Sequence, residues 1–77
     1  MEVITHGEYS IEVLEIEDEP KRWKARIRRL DGTKIKVFAD DSICPELTMP
    51  EEFSADKAIE QAKNSINRGA ISKAPEE

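Results

Sequence analysis

The segment from Arg22 to Arg29 restricts the possible folds more than any other part of the chain. From position 23 to position 28, apolar and basic side chains alternate strictly, with Trp23, Ala25 and Ile27 against Lys24, Arg26 and Arg28. A period of two is typical of a β-strand that turns one face to a core and the other to water. We therefore predict a strand over Arg22–Arg29 with a cationic outer face.

The dipeptide Asp31-Gly32 follows this strand and is a strong turn signal, so a second strand of a hairpin is predicted over Thr33–Phe38. A two-residue loop would set Arg28 opposite Ile35 and mix charge into the apolar face. A three-residue loop with a left-handed Gly32 instead pairs Ile27 with Ile35. Because a slip of one residue turns every side chain to the other face, we favour the three-residue loop.

A strand rich in β-branched residues is predicted over Tyr9–Ile16, before the cationic strand. Its apolar side chains change parity after Val13, so either a bulge lies there or one end of the strand leaves the regular sheet. Pairing Val13 with Ala25 would place Glu12 beside Arg26 on the outer face.

One helix is predicted from an N-cap at Ser54 to a stop at Gly69. Phe53 and Ala58 have the spacing of a hydrophobic staple around that cap. An alternative start lies at Thr48, which has a glutamate three residues further on. The apolar stripe of the helix consists of Ala55, Ala58, Ile59, Ala62 and Ile66.

These elements predict an α+β fold, in which a three-stranded antiparallel sheet is packed on one face by a single C-terminal helix (β-β-β-α). We expect one small domain over residues 1–77, with an ordered core over about 8–70 and flexible segments at 1–6 and 72–77. Residues 39–53 are left without an assignment. The apolar residues between Ile43 and Phe53 either cover the edge of the sheet or form a contact with a partner.

Charge is strongly segregated along the chain, whose net charge is −5. Residues 1–20 carry −7, residues 21–36 carry +7 and residues 37–77 carry −5. In the predicted register Arg26 lies opposite Lys36, and such like-charged pairs destabilise a sheet by about 1 kcal/mol or less. Either acids of the first strand, such as Glu12, offset this repulsion, or an external polyanion does. The candidate binding face consists of Lys24, Arg26, Arg28, Lys34, Lys36 and Phe38.

The basic segment 22–28, the Asp31-Gly32 turn, Phe38 and a helix that begins at 54–58 together resemble the AP2/integrase N-terminal DNA-binding domains. The resemblance covers about half the chain. It implies three antiparallel strands that read the DNA major groove and a helix packed behind them. The first strand of that family is basic, whereas here it is acidic. The chain also looks like small bacterial β-β-β-α proteins.

Isolated reactive residues do not form a recognisable catalytic motif. His6 is the only histidine, Cys44 is the only cysteine, and Trp23 has the parity of a core residue. The acidic pairs at 40–41 and 51–52 are interpreted as solvated loop and helix-start residues. We therefore expect no enzymatic activity, no metal and no cofactor.

The function predicted from the sequence is that of a small non-enzymatic macromolecule-binding domain. We expect a protein partner or a homodimer, and nucleic-acid binding through the basic outer face is the alternative. No apolar run is long enough to span a membrane, the first residues do not predict a secretory leader, and a lone cysteine suits a reducing compartment. We therefore expect a cytoplasmic protein without membrane contact.

Overall fold

The fold is α+β, with antiparallel sheets and one C-terminal helix, as predicted. A computed structural model describes residues 2–75. Its elements in chain order are β1 (Glu2–His6), β2 (Tyr9–Ile16), β3 (Arg22–Arg29), β4 (Ile35–Val37), β5 (Ser42–Cys44), β6 (Leu47–Thr48), α1 (Ala55–Asn67) and β7 (Ile71–Lys73). The expected single three-stranded sheet is wrong. The strands form a four-stranded sheet in the order β1-β2-β3-β6 and a three-stranded sheet in the order β5-β4-β7.

The central hairpin of the larger sheet has the predicted strands and register. β2 and β3 keep their predicted bounds, Val13 lies opposite Ala25, and Glu12 lies opposite Arg26. The ladder continues without interruption to Ile16, so both the predicted bulge and the departure from the sheet are wrong. The change of parity instead leaves Leu14 and Ile16 half-buried on the outer face.

The predicted hairpin between β3 and β4 does not exist. Ile27 lies opposite Leu47 of β6, and Ile35 lies opposite Cys44 of β5. The physical reason is that β6, from the unassigned segment 39–53, satisfies the backbone groups at the edge of β3 that β4 would otherwise use. Gly32 does adopt the expected left-handed conformation, with φ 78°.

A buried arginine holds the connection that leads from β3 to the second sheet. The Arg29 side chain is only 5% exposed, and its Nε donates to Thr33 Oγ1 at 2.9 Å. Its Nη2 donates to Glu8 Oε2 at 3.3 Å, and its guanidinium lies 5.1 Å from the centre of the Tyr9 ring. It also forms an ion pair with Asp31. A buried cation is tolerated because it has these partners.

The helix begins and ends where the sequence predicts. The Ser54 Oγ accepts a hydrogen bond of 3.1 Å from the backbone N–H three residues further on, and Gly69 follows the C-cap with φ 73°. The alternative start at Thr48 is wrong, because that residue belongs to β6. The expected staple is also not formed, since Phe53 is 73% exposed while Ala58 is fully buried.

One apolar core joins the helix and both sheets. α1 packs against β2 and β3 and also touches β7. We call the helix-facing side of the larger sheet its inner face. The fully or nearly buried apolar residues are Tyr9, Ile11, Val13, Ala25, Ile27, Ile35, Ala58, Ala62 and Ile71. Removal of this surface from water is the main stabilising contribution to the fold.

The segments 1–6 and 72–77, which were expected to be flexible, both contribute residues to strands. Residues 2–6 pair along their whole length with β2 as β1, and β7 extends to Lys73. The backbone N–H of Ala74 also donates to the carbonyl of Lys34 at 2.9 Å. Met1, Glu76 and Glu77 lie outside the described residues. Within residues 2–75, no helix is long and apolar enough to cross a membrane.

Candidate interaction surfaces

The structure divides the candidate binding face between two sheets. Lys24, Arg26 and Arg28 lie on the outer face of β3, whereas Lys36 belongs to β4 of the second sheet. Lys34 precedes β4 and Phe38 follows it. The predicted opposition of Arg26 and Lys36 is wrong, because Arg26 lies between Glu12 of β2 and Thr48 of β6. The six residues are therefore distributed over two sheets instead of one.

Carboxylates of the protein itself hold the central arginines of β3. Arg26 Nη1 lies 3.4 Å from Glu12 Oε1, and Arg26 Nε lies 3.1 Å from Glu46 Oε2. The same Glu46 oxygen accepts from Arg28 Nε at 3.2 Å and from Arg28 Nη2 at 3.1 Å. Exposed ion pairs add little stability, so their main consequence here is the neutralisation of the outer face.

Ion pairs between basic residues of β3 and carboxylates of the protein itself also occur at Arg22, where the strand begins. Arg22 Nη2 lies 2.8 Å from Asp18 Oδ2, and Arg22 Nη1 lies 2.6 Å from Glu51 Oε1. Lys24, on the same face, forms no ion pair with the side chains that the structure describes. Three of the four basic residues on this face are therefore already engaged with carboxylates.

A different surface is formed at the hairpin of β4 and β5. Lys36 lies opposite Ile43, and the Lys36 ammonium lies 3.0 Å from Asp41 Oδ1 and 5.8 Å from the centre of the Phe38 ring. Phe38 is 55% exposed and Ile43 is 52% exposed. We call Phe38, Ile43 and the Lys36–Asp41 pair the hairpin patch. It places two large apolar side chains beside an ion pair whose two charges neutralise each other.

Two aspartates with shifted pKa values belong to turns. Hydrogen bonds from the Thr33 hydroxyl and from the Thr33 backbone N–H hold the pKa of Asp31 far below its usual range. The Ser42 hydroxyl, at 2.7 Å, and the Ser42 N–H likewise lower the pKa of Asp40. Both carboxylates stabilise local turns, because each bonds a backbone N–H two residues further on.

The other singled-out residues also have structural partners. Trp23 is half-buried against the core and exchanges two backbone hydrogen bonds with Glu52. The Nε2 atom of His6 lies 2.8 Å from Asn67 Oδ1 at the end of α1. Cys44 is a half-buried free thiol in β5. Within residues 2–75, no group of three His, Cys, Asp or Glu side chains is arranged to hold a metal ion.

Sequence reasoning missed the role of Glu46. This residue lies in the segment without an assignment, and it reaches the arginines because Leu47 next to it pairs with Ile27 of β3. The available signal was the excess of apolar residues between Ile43 and Phe53. Of the two explanations left open for them, coverage of the sheet edge applies to Leu47.

Comparison of the chain with protein-family models, with curated proteins and with solved structures finds no match.

Proposed function

We propose that this protein is a small non-enzymatic domain that binds another protein through the hairpin patch. The observation that carries the proposal is a contrast between the outer face of β3 and the hairpin patch. The arginines of β3 are already bound to carboxylates, whereas Phe38 and Ile43 are more than half exposed. Large apolar side chains, aromatic ones above all, provide much of the binding energy at protein interfaces.

The geometry of the hairpin suits a protein partner. β5 is an edge strand of the second sheet, so an extended segment of a partner has backbone groups to pair with beside Ile43. The apolar side chains of that partner segment would cover Phe38. The pair between Lys36 and Asp41 limits the cost of covering this surface, because each charge keeps its counter-ion when water leaves.

Nucleic-acid binding is less well supported by the same contacts. A phosphate that approaches Arg26 or Arg28 competes with Glu46, which is bound to both, and Arg26 is also bound to Glu12. The net charge of −5 also opposes the approach of a polyanion.

The non-enzymatic part of the proposal rests on Asp31 and Asp40, whose shifted pKa values are explained by hydrogen bonds within turns. We propose that the protein binds its partner in the cytoplasm, where a lone thiol stays reduced.

The test is a photo-crosslinking amino acid installed at Phe38 in cells that naturally contain the protein. Gln61, exposed on the helix, is the matched control position. We expect one protein adduct of defined mass from position 38, none from position 61, and loss of the adduct in the Ile43→Asp background. Equal adducts from both positions would contradict the proposed surface.

Heparin chromatography at low salt tests the alternative. We expect the wild-type protein to elute without retention, because its arginines are neutralised. Strong retention that is abolished by the combined substitution of Lys24, Arg26 and Arg28 by alanine would favour nucleic-acid binding and overturn the proposal.

A further inference from the structure

We propose that two copies of this chain associate by antiparallel pairing of their β1 strands, in a register centred on Ile4. The result is a continuous eight-stranded sheet in the order β6-β3-β2-β1-β1-β2-β3-β6. The inference concerns an edge on a different sheet from the hairpin patch, and it does not depend on the proposed function.

Of the four sheet edges formed by residues 2–75, β1 is the least protected. Edge strands of natural proteins are usually short, charged or interrupted by proline, which limits the length over which they can pair with other chains. β6 has two residues and lies between Pro45 and Pro50, β7 contains Lys73, and β5 has three residues. β1 has five residues and is the longest of these edge strands, and between Glu2 at its first position and His6 at its last it contains no charged residue and no proline.

The hairpin geometry determines which backbone groups of β1 point outward. His6 and Tyr9 flank a two-residue loop whose first residue, Gly7, has φ 62°, as in a type II′ turn. Residues that flank such a loop form a hydrogen-bonded pair, and hydrogen-bonded and non-hydrogen-bonded pairs alternate along an antiparallel ladder. The N–H and C=O groups of Val3 and Thr5 therefore point away from β2. No strand among residues 2–75 pairs with them.

A two-fold axis through Ile4 satisfies all of these groups. It sets Val3 of one copy opposite Thr5 of the other, and the two equivalent pairs exchange four backbone hydrogen bonds. The two Ile4 residues then form a non-hydrogen-bonded pair, in which side chains approach most closely. This register is also the one in which all five residues of β1 overlap.

The same register matches the faces of the two sheets. Ile4 lies opposite Ile11 of the core, whereas Val3 lies opposite Glu12 of the outer face. Pairing Val3 with Thr5 therefore joins outer face to outer face and keeps both helices on one side. Val3, now 59% exposed, gains a neighbour, and the nearby Glu12 carboxylate is already bound to Arg26. Because the joined edge is short, we expect a weak, concentration-dependent dimer.

Sedimentation velocity over a concentration series tests the dimer. Between about 5 µM and about 500 µM, we expect the weight-average mass of the wild-type protein to rise towards twice that of the monomer. Val3→Pro removes an outward-facing N–H and leaves the ladder with β2 unaffected, because proline is tolerated on the solvent side of an edge strand. We expect this variant to stay monomeric and the matched Val3→Thr variant to dimerise. A wild-type monomer at every concentration, or a folded Val3→Pro dimer, would overturn the inference.

A charge swap keeps the test informative if the proline variant fails to fold. Glutamate at both Val3 and Thr5 sets like charges opposite each other across the two-fold axis, and lysine at both positions does the same. We expect each double variant alone to be monomeric and an equimolar mixture of the two to form heterodimers. A mixture that stays monomeric although the wild-type protein dimerises would place the contact on another surface and contradict the β1 register.

Discussion

Substitution of Ile35 by alanine tests whether the two sheets share one core. Ile35 is fully buried in β4, between β5 and β7. The change removes three side-chain carbons, and at about 0.8 kcal/mol per carbon the transfer cost alone is about 2.4 kcal/mol. The cavity left behind adds to this cost, so we expect the free energy of unfolding to fall by about 3–4 kcal/mol. A domain of this length has only about 4–12 kcal/mol in total.

Ile43→Ala is the matched control for this substitution. Ile43 is in the adjacent strand β5 of the same sheet, but its side chain is 52% exposed. Because half of the surface is already in water and no closed cavity forms, we expect a loss of about 1 kcal/mol or less. The two isoleucines therefore separate the effect of core burial from that of residue type and strand propensity.

Urea unfolding measures both variants with two probes. Fluorescence of Trp23 reports on the larger sheet, and far-ultraviolet circular dichroism reports on the whole fold. We expect one transition with coincident midpoints in each variant, shifted strongly for Ile35→Ala and weakly for Ile43→Ala. Equal shifts for the two variants would refute the assigned burial. Separate midpoints for the two probes in Ile35→Ala would refute a shared core.

Two further predictions concern local interactions. Ser54→Ala removes the oxygen that caps α1, so we expect urea unfolding to show a loss of about 1 kcal/mol, with Ser54→Asp as the control that retains a cap. Asp31→Asn tests the lowered pKa of Asp31. Since the unfolded carboxyl titrates near pH 3.9, its contribution is complete above that pH and is lost as the pH falls further. Below about pH 4 we expect stability to fall less steeply in Asp31→Asn than in the wild-type protein, and identical pH profiles would contradict the assignment.

Local patterns predicted the central hairpin and the helix because each carries its own signal. The alternation around Ile27 determines both the bounds of β3 and its buried face, and the Ser54 cap and Gly69 determine the helix ends. These signals depend on residues close in sequence. The side-chain pattern of β4 was also read correctly, since Ile35 does face the core.

The pairing partners of the short strands could not be read from such patterns. Asp31-Gly32 does form a turn, but this turn does not direct the chain back along β3. Asp31 and Thr33 instead bind the buried Arg29 side chain. A two-residue strand such as β6 has no measurable period, and its place beside β3 depends on competition between distant segments. The split of the candidate binding face follows from that competition.

Glu46 is the one carboxylate on the β3 face that two arginines share, Arg26 and Arg28, within the part of the chain that the structure describes. Replacement of glutamate by lysine requires one nucleotide change, and at this site it would leave Arg28 without its carboxylate, leave Arg26 with Glu12 alone, and add a further cation. A single substitution at this position would therefore shift the balance of charge on the β3 face by two units towards positive.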